Sequence, residues 1–260
     1  MSLPTVVLEG IPLHALTEAD CVQHVIDALD RGEGGWIITP NLDILRQASI
    51  DPDVASMLQR ADLRVPDGMP LVWASRILGQ PFPERVSGSN LITSLSDALA
   101  RRGRSIFLLG GNPGVAEQAA EVLLREHPGL EVRGTHCPPF GFERDPEAMA
   151  RIEEEVRRAG ADVVFVALGF PKAERLTERV RGAGPDAWWV GVGISFSFLA
   201  GDVARAPGWM QRTGLEWVHR LGQEPRRLAK RYLYHGLPYA LRLLGASARR
   251  RLGSRGPTSE

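Results

Sequence analysis

The sequence predicts an α/β protein in which a doubly wound, mostly parallel β-sheet is followed by a basic helical appendage at the C-terminus. Two observations predict the sheet. Short apolar runs, several of them rich in β-branched or aromatic residues, recur along the first 200 residues. Segments with helical patterning lie between these runs, and this alternation is typical of βαβ units with parallel strands. A change of composition after Gly201 predicts the appendage.

Five apolar runs are too short for helices and are predicted as buried strands: residues 36–39, 63–65, 106–109, 163–168 and 188–190. Helical patterning is found in the segments between and beside them: residues 17–30, 43–60, 88–102, 113–126, 146–159 and 171–182. Within 113–126, for example, Val115, Ala119 and Leu123 share one helix face. The order of these segments is that of a Rossmann-like sheet.

The charge of the chain is unevenly distributed. The 260 residues contain 31 Lys/Arg and 31 Asp/Glu, and 29 of the basic residues are arginines. Residues 201–260 contain 12 basic and 4 acidic residues, whereas residues 1–200 contain 19 and 27, so formal charges of +8 and −8 cancel. We predict a core over residues 1–200, a basic helical appendage over 201–252, and a disordered tail over 253–260. The arginines of the appendage form an exposed helix face, a membrane-surface patch or a phosphate clamp, and the tyrosines and tryptophan beside them favour an interface.

The sequence lacks the signals of several protein classes. Cys21 and Cys137 have no metal-ligand spacing, so neither a disulfide framework nor a zinc site is expected. A signal-peptide pattern and a run of about 20 apolar residues are also missing, so we expect a cytoplasmic protein. A dinucleotide oxidoreductase is disfavoured because the G-x-G-x-x-G fingerprint is absent. Nucleic-acid binding is disfavoured because no RNA-binding signature accompanies the arginines.

In doubly wound sheets, ligands bind at the carboxyl ends of the strands. The residues that follow the predicted strands therefore form the candidate site. They are rich in glycine and short polar side chains: Thr39-Pro40-Asn41, Pro66-Asp67-Gly68, Gly110-Gly111-Asn112, Gly169-Phe170-Pro171-Lys172 and Gly191-Val192-Gly193.

Several of these residues have a structural as well as a functional interpretation. Asp67 is either a general base or the N-cap of the next helix, and capping is favoured when the residue is considered alone. Gly110 and Gly111 either receive phosphate through backbone N–H groups or only form a tight turn. Lys172 either neutralises a diphosphate or lies in a solvated first turn. In Asp51-Pro52-Asp53, an N-cap followed by a first-turn proline is favoured over a metal motif.

Taken together, these and further motifs resemble the WecG/TagA/CpsF glycosyltransferases, glycosyltransferase family 26. The resemblance extends from about Gly10 to Tyr232 and includes Arg85-Val86-Ser87-Gly88, Gly169-Phe170-Pro171-Lys172-Ala173-Glu174, Arg205-Ala206-Pro207, Leu215-Glu216-Trp217 and Glu224-Pro225-Arg226-Arg227. Each motif is short, but their order and spacing are specific.

The resemblance implies an inverting transferase. It would move N-acetylmannosamine or another hexose from a UDP-sugar to an undecaprenyl-diphosphate-linked saccharide, in the synthesis of cell-surface polysaccharide or teichoic acid. Such an enzyme would bind peripherally to the anionic inner face of the cell membrane. The diphosphate would be neutralised by arginines, lysine or backbone N–H groups, so no divalent metal or other cofactor is expected.

The resemblance also implies site residues. Asp67 is the expected base, with Thr39 beside it in the catalytic centre. The residues expected at the donor are Asn41, Gly110, Gly111, Gly169, Pro171, Lys172, Glu174, Gly193 and Ser197. The residues expected at the acceptor or its diphosphate are Arg85, Arg220, Arg227, Lys230 and Arg231.

Two residues depart from the family pattern. Ala173 stands where the family usually has glutamine, and Ser197 stands where it usually has aspartate. These changes remove hydrogen-bonding groups expected to face the donor, so the donor sugar stays open. They also admit an alternative, a catalytically silent module that binds a nucleotide sugar or a lipid diphosphate. The oligomeric state is open as well, with a homo-oligomer among the alternatives.

Overall fold

The computed structural model describes residues 3–253, apart from the side chains of Arg212 and Arg227. The strands are β1 Thr5–Leu8, β2 Ile11–His14, β3 Gly35–Ile38, β4 Leu63–Arg64, β5 Ser105–Gly110, β6 Glu131–His136, β7 Val163–Ala167 and β8 Trp188–Gly191. In this part of the chain, six strands form a parallel sheet in the order β4-β3-β8-β7-β5-β6, and β1 pairs with β2 in an antiparallel hairpin.

Helices follow the strands of the sheet. In the core they are α1 Glu18–Asp30, α2 Leu42–Ile50, α3 Pro52–Gln59, α4 Met69–Leu78, α5 Gly88–Ala100, α6 Val115–Glu126, α7 Pro146–Ala159, α8 Lys172–Val180 and α9 Ser195–Ala200. Beyond the core they are α10 Gly208–Thr213, α11 Glu216–Gln223, α12 Pro225–Ala229, a π-helical stretch Lys230–Gly236 and α13 Leu237–Gly253.

The sheet separates two hydrophobic cores. Side chains alternate between the faces of a strand, so Val163 and Phe165 of β7 join one core while Val164 and Val166 join the other. Helices α1, α5, α6 and α9 cover the first face. Helices α2, α3, α7 and α8, with the β1–β2 hairpin, cover the second. The predicted doubly wound, Rossmann-like sheet is therefore confirmed.

The elements that the sequence did not predict are one edge strand of the sheet and the separate two-stranded hairpin. All five predicted strands are present, but β6 and the β1–β2 hairpin were not predicted. β6 is an edge strand that is largely exposed or partly buried, and Glu131 and Arg133 interrupt its apolar pattern. Because an edge strand needs few buried side chains, its sequence carries a weak hydrophobic signal.

The helix predicted over residues 43–60 consists of two helices. The break falls at Asp51, whose carboxylate accepts a hydrogen bond from the N–H of Asp53, and Pro52 occupies the first turn of α3. Proline cannot donate a backbone hydrogen bond and disfavours a helical residue before it. The N-cap interpretation of Asp51-Pro52-Asp53 is confirmed.

The C-terminal segment is helical, as predicted, and its last helix packs on the core. Helix α13 lies against α4, and Tyr239 and Leu243 are buried in the same core as Trp36. Arg251 Nη1 donates to the carbonyl groups of Arg76 and Ile77 at the end of α4, at 3.3 and 3.2 Å. The predicted boundary near residue 200 remains a prediction, and the predicted tail beyond Gly253 lies outside the described residues.

The two prolines of this segment both lie in the first turn of a helix. Pro225 lies in the first turn of α12. Pro238 lies in the first turn of α13, which runs on directly from the π-helical stretch. Since Pro238 has no N–H to donate to the preceding turn, the wider π geometry lies where the α-helical pattern of hydrogen bonds is interrupted.

Gly110, the last residue of β5, is expected to tolerate no side chain. Its φ of 105° is unfavourable for other residues, and an added Cβ would lie 2.7 Å from the carbonyl oxygen of Ala167. Gly114 has a similar φ of 82° but open space around the same position. We expect Gly110→Ala to lower the free energy of unfolding by about 1–3 kcal/mol more than Gly114→Ala, as measured by urea denaturation. Equal losses would contradict the packing argument.

Candidate active site

Three of the predicted motifs meet at the carboxyl ends of β3 and β4. The N–H of Asp67 donates to the carbonyl oxygen of Pro40 at 2.9 Å, which places Asp67 beside the Thr39-Pro40-Asn41 loop. The N–H of Val86 donates to the carbonyl oxygen of Pro66 at 2.9 Å, which brings in the loop before α5. The structure therefore brings Thr39, Asn41, Asp67 and the backbone beside Arg85 into one neighbourhood.

Asn41 holds the start of α2. Its side-chain oxygen accepts hydrogen bonds from the N–H groups of Asp43 and Ile44, at 3.0 and 3.1 Å. This N-cap satisfies two amides that the helix itself leaves unpaired. The amide NH2 of Asn41 is then the group that it can offer to a ligand. Thr39, two residues earlier, is partly buried.

The carboxylate of Asp67 is not used by the following helix. Gly68 occupies the N-cap of α4 with a φ of 138°, and that helix has no side-chain cap. The capping interpretation of Asp67 is therefore wrong. Burial raises the pKa of Asp67 to about 6, an increase that nearby arginines oppose and Glu216 adds to. Asp67 is thus ionised at neutral pH but more basic than an ordinary aspartate.

Charged residues from the C-terminal segment face Asp67. The positive charges of Arg205 and Arg220 lower the pKa of Asp67, as does the charge of Arg85 from the core. Arg85 Nη1 lies 2.7 Å from Glu216 Oε2 in an ion pair that is largely shielded from solvent. Arg205 Nη2 also donates to Asn90 Oδ1 in the first turn of α5.

Close packing of a glycine on a methionine side chain holds this part of the segment in place. Gly214 packs on Met69, and a Cβ at Gly214 would lie only 2.6 Å from Met69 Cβ and Cγ. Met69 begins α4, two residues after Asp67. The segment from Arg205 to Arg220 therefore covers the surroundings of Asp67.

The remaining predicted cations lie further along the segment. Arg231, in the π-helical stretch, places its Nε 3.0 Å from Asp43 Oδ2, and Asp43 also pairs with Arg46 at 3.0 Å. Arg231 is thus anchored two residues from Asn41. Lys230 is exposed. The backbone of Arg227 belongs to α12, but its side chain lies outside the described part of the structure.

The glycine loop after β5 is closely packed. The N–H of Gly111 donates to the carbonyl oxygen of Ala167 at 2.8 Å, and a Cβ at Gly111 would lie 3.3 Å from the ring of Phe196. Cys137 Sγ lies 3.4 Å from the carbonyl oxygen of Gly111. These contacts support the tight-turn interpretation, because the Gly111 amide is already engaged. Donor contact by Gly110 and Gly111 remains a prediction.

Lys172 begins α8 after Gly169 and Pro171, and its ammonium group has a partner. Its Nζ lies 2.5 Å from Glu143 Oε1 and 5.5 Å from the centre of the Phe140 ring. This contact lowers the pKa of Glu143. Because the side chain of Lys172 is half-exposed, its ammonium can exchange Glu143 for a phosphate at small cost.

Glu174 is a buried acid with an unsatisfied oxygen. Its side chain is 6% exposed, and Oε2 has no hydrogen-bond partner among the described residues. Burial raises its pKa to about 7. A Cβ at Gly191 would lie 3.4 Å from Glu174 Oε1, so the carboxyl group lies against the end of β8. Gly193 and the partly buried Ser197 follow that strand.

Three residues of this neighbourhood were not among the predicted site residues. They are Glu216, Arg205 and Ser195, whose Oγ lies 3.0 Å from Ser89 Oγ. Arg205 and Glu216 belong to motifs that resemble the family, which was the available signal.

Among the described residues, no group of three or more His, Cys, Asp or Glu side chains could hold a metal ion. Within the same residues, no helix is long and apolar enough to cross a membrane.

The fold and site define a Rossmann-like α/β protein with a carboxylate and clustered arginines at the carboxyl edge of its sheet, an arrangement suited to phosphorylated ligands. A sequence profile of the glycosyl transferase WecG/TagA/CpsF family matches residues 6–253. The chain belongs to this family, which confirms the resemblance seen in the sequence.

Two curated relatives have similar sequences. Both are named N-acetylglucosaminyldiphosphoundecaprenol N-acetyl-beta-D-mannosaminyltransferase. The protein from Bacillus spizizenii strain W23 is 34% identical over 199 residues, which cover 76% of this chain and 75% of the relative. The protein from Bacillus subtilis strain 168 is 33% identical over 199 residues, with the same coverage of both chains.

The buried acid Glu174 is expected to lower stability at alkaline pH. Its folded-state pKa of about 7 lies above the ordinary value of 4.5, so the folded state holds the proton longer than the unfolded state. Stability is therefore lost as the pH rises from about 4.5 through 7. We expect Glu174→Gln to raise the Tm by about 3 °C or more at pH 8 and by much less at pH 5.

The matched control is Glu178→Gln on the same helix, where an accessible ion pair joins Glu178 to Arg60. Scanning calorimetry at both pH values provides the comparison. An equal effect of the two substitutions at pH 8 would contradict the role assigned to burial.

Proposed function

We propose that this protein is an inverting glycosyltransferase. It moves N-acetylmannosamine or another hexose from a UDP-sugar to an undecaprenyl-diphosphate-linked saccharide. The names of the two relatives support this acceptor and this sugar, since both describe transfer of N-acetylmannosamine to N-acetylglucosaminyl-diphosphoundecaprenol. The observation that carries the proposal is Asp67, a carboxylate left free by its helix and surrounded by arginines at the carboxyl edge of the sheet.

Asp67 is the proposed base. Its carboxylate accepts the proton of the acceptor hydroxyl while that oxygen attacks the anomeric carbon. The bond from the anomeric carbon to UDP breaks on the opposite face, and UDP leaves with the electron pair, so the configuration is inverted. A pKa of about 6 keeps Asp67 ionised at pH 7 and makes it a stronger base than an exposed aspartate. Thr39 lies beside it, in the loop that Asp67 joins.

The arginines are the proposed partners of the diphosphate groups. A guanidinium donates two parallel hydrogen bonds to phosphate oxygens and stays charged throughout the reaction. Arg85 and Arg220 face Asp67, and Arg227, Lys230 and Arg231 continue the cationic series along the C-terminal segment. Charge on the leaving UDP would be stabilised by these cations together with Lys172. We therefore propose a reaction that requires no divalent metal.

The donor is proposed to occupy the loops after β5, β7 and β8. Glu174 provides an unsatisfied carboxyl oxygen there. The rest of the predicted donor surface in these loops consists of Gly110, Gly111, Gly169, Pro171, Lys172, Gly193 and Ser197, and Asn41 adds to it from the loop after β3. Ala173 is buried and offers no polar group. Ala173 thus belongs to the hydrophobic core beneath these loops rather than to the surface where it was expected. Ser197 is the departure left on the proposed donor surface, so N-acetylmannosamine is the leading sugar and another UDP-hexose is the alternative.

The C-terminal segment is proposed to bind the membrane in which the lipid acceptor lies. Large apolar side chains are exposed along it, among them Trp209, Trp217, Tyr234, Leu237 and Leu241. Arg226 and Lys230 are exposed beside them. Aromatic and cationic side chains together suit the interface of an anionic bilayer. Because the same segment packs beside Asp67, with Gly214 on Met69, we propose that docking also excludes water from the site and limits hydrolysis of the donor.

A catalytically silent binding module is the second candidate, favoured by the loss of the family's amide at Ala173 and of its carboxylate at Ser197. The two are separated by Asp67→Asn. An enzyme should lose at least about a thousandfold in transfer and still bind UDP, because the base alone is removed. The measurement is incubation with a panel of UDP-sugars and short-chain lipid-diphosphate acceptors, followed by mass spectrometry for an added hexose.

The exposed Asp53→Asn serves as the control and should keep full activity. For the unaltered enzyme, kcat/KM should fall as the pH drops through about 6, because Asp67 takes up a proton there. If no sugar from the panel is transferred while UDP still binds, the silent module is the better description.

Membrane binding should depend on the cations of the C-terminal segment. Replacing Arg226, Arg227 and Arg231 by glutamate should weaken binding to anionic vesicles by at least about tenfold in low salt, and by less in high salt, because salt screens the attraction. Co-sedimentation with vesicles of mixed anionic and neutral lipid provides the measurement. The matched control reverses Arg125, Arg157 and Arg158, which are exposed on the core. Equal effects of the two triple variants would exclude a specific docking face.

A further inference from the structure

Glu216 is an acidic residue within the arginine cluster, and the proposed reaction assigns it no role. It is the first residue of α11, and its Oε2 lies 2.7 Å from Arg85 Nη1. The side chains of Arg85 and Glu216 are only 13% and 17% exposed, so solvent screens this pair weakly. The pair joins the loop before α5 to the C-terminal segment, across 131 residues of sequence.

Arg85 is shared between two carboxylates. The charged groups that act on Asp67 are Arg85, Glu216, Arg220 and Arg205, and Arg85 has the largest effect among them. Arg85 is itself acted on by Asp67, Glu216 and Glu18. Its ion pair is with Glu216, and the carboxylate of Asp67 forms no hydrogen bond or ion pair with another described residue.

If Glu216 were neutral, Arg85 would lose its partner in a place with little access to water. A shielded charge without a partner is costly, and Asp67 is the next carboxylate acting on Arg85. A direct ion pair with an arginine lowers the pKa of an aspartate by about 1–3 units. It would also occupy the oxygen that has to receive the acceptor proton.

We propose that Glu216 is a positioning residue, which holds Arg85 and thereby keeps Asp67 free to take the proton of the acceptor hydroxyl. This inference rests on the function proposed above. Because Glu216 lies on α11, Asp67 is a fully competent base only when the C-terminal segment is in place. The segment therefore controls the strength of the base as well as access to it.

The test is Glu216→Gln in the full chain, which removes the charge and keeps the size of the side chain. We expect kcat/KM at pH 7 to fall about tenfold, and the acidic limb of its pH profile to move down by about one pH unit, since one unit corresponds to a tenfold change. Glu178→Gln, which removes an accessible ion pair with Arg60 within residues 1–200, should leave the acidic limb of the pH profile unchanged. An unmoved limb in Glu216→Gln would overturn the proposal.

A second comparison shows whether Glu216 acts through Arg85. In an Arg85→Gln background, the Glu216→Gln change should move the acidic limb by less than about a third of the shift that it causes in the otherwise unaltered protein. The reason is that the guanidinium held by Glu216 is then missing. A shift of the same size in both backgrounds would instead indicate a general loosening of the C-terminal segment. Should Glu216→Gln fail to fold, Glu216→Asp retains the charge on a shorter side chain and should give a smaller shift in the same direction.

The same shift can be followed without activity. The pH titration of the Asp67 carboxyl carbon, measured by NMR in the original and Glu216→Gln proteins, should move to lower pH in the variant. If the unaltered protein transfers no sugar but this titration moves, the proposed function fails and the inference about Glu216 stands as an electrostatic one. If transfer occurs and neither the titration nor the acidic limb moves, the inference fails and the function stands.

Discussion

The parallel alignment of the six strands in the described sheet is the constraint on which the rest of the site depends. Because every strand points the same way, every loop that leaves a carboxyl end lies on one edge. Residues as distant in sequence as Thr39, Asp67, Glu174 and Gly193 lie along this edge without any local attraction between them. The two cores packed on the faces of the sheet hold this edge rigid, so the loops start from fixed positions.

Two acidic groups at the carboxyl edge of the sheet lower the stability of the fold. Asp67 and Glu174 both have raised pKa values because they are buried, and Glu174 has an oxygen without a partner. Such groups cost free energy in a core, so a protein gains from them only through binding or chemistry. The arginines around Asp67 bring charge of the opposite sign but do not bond to it. This leaves a basic oxygen beside cations that suit a diphosphate.

The C-terminal segment is packed on the core and also brings charged side chains to Asp67. Its last helix packs on the core through Tyr239 and Leu243, whereas the part from Arg205 to Arg220 brings charged side chains that shift the pKa of Asp67. The zero net charge of the chain is the sum of an acidic core and this basic segment. An anionic surface would therefore attract one end of the molecule and repel the other. On the proposed membrane surface, this orientation would direct the exposed aromatic residues of the segment toward lipid.

The sequence by itself determined the strands with strong apolar runs, the helix break at Asp51-Pro52 and the family, because these depend on residues that are close in the chain. It did not reveal β6, whose exposed or partly buried positions carry little hydrophobic pattern, or the β1–β2 hairpin, whose two four-residue strands lie outside the βαβ alternation. Only the tertiary structure decided that Gly68 rather than Asp67 ends the turn before α4, which leaves that carboxylate free. It also decided that Arg85 pairs with Glu216, because an ion pair across 131 residues depends on packing and not on local pattern.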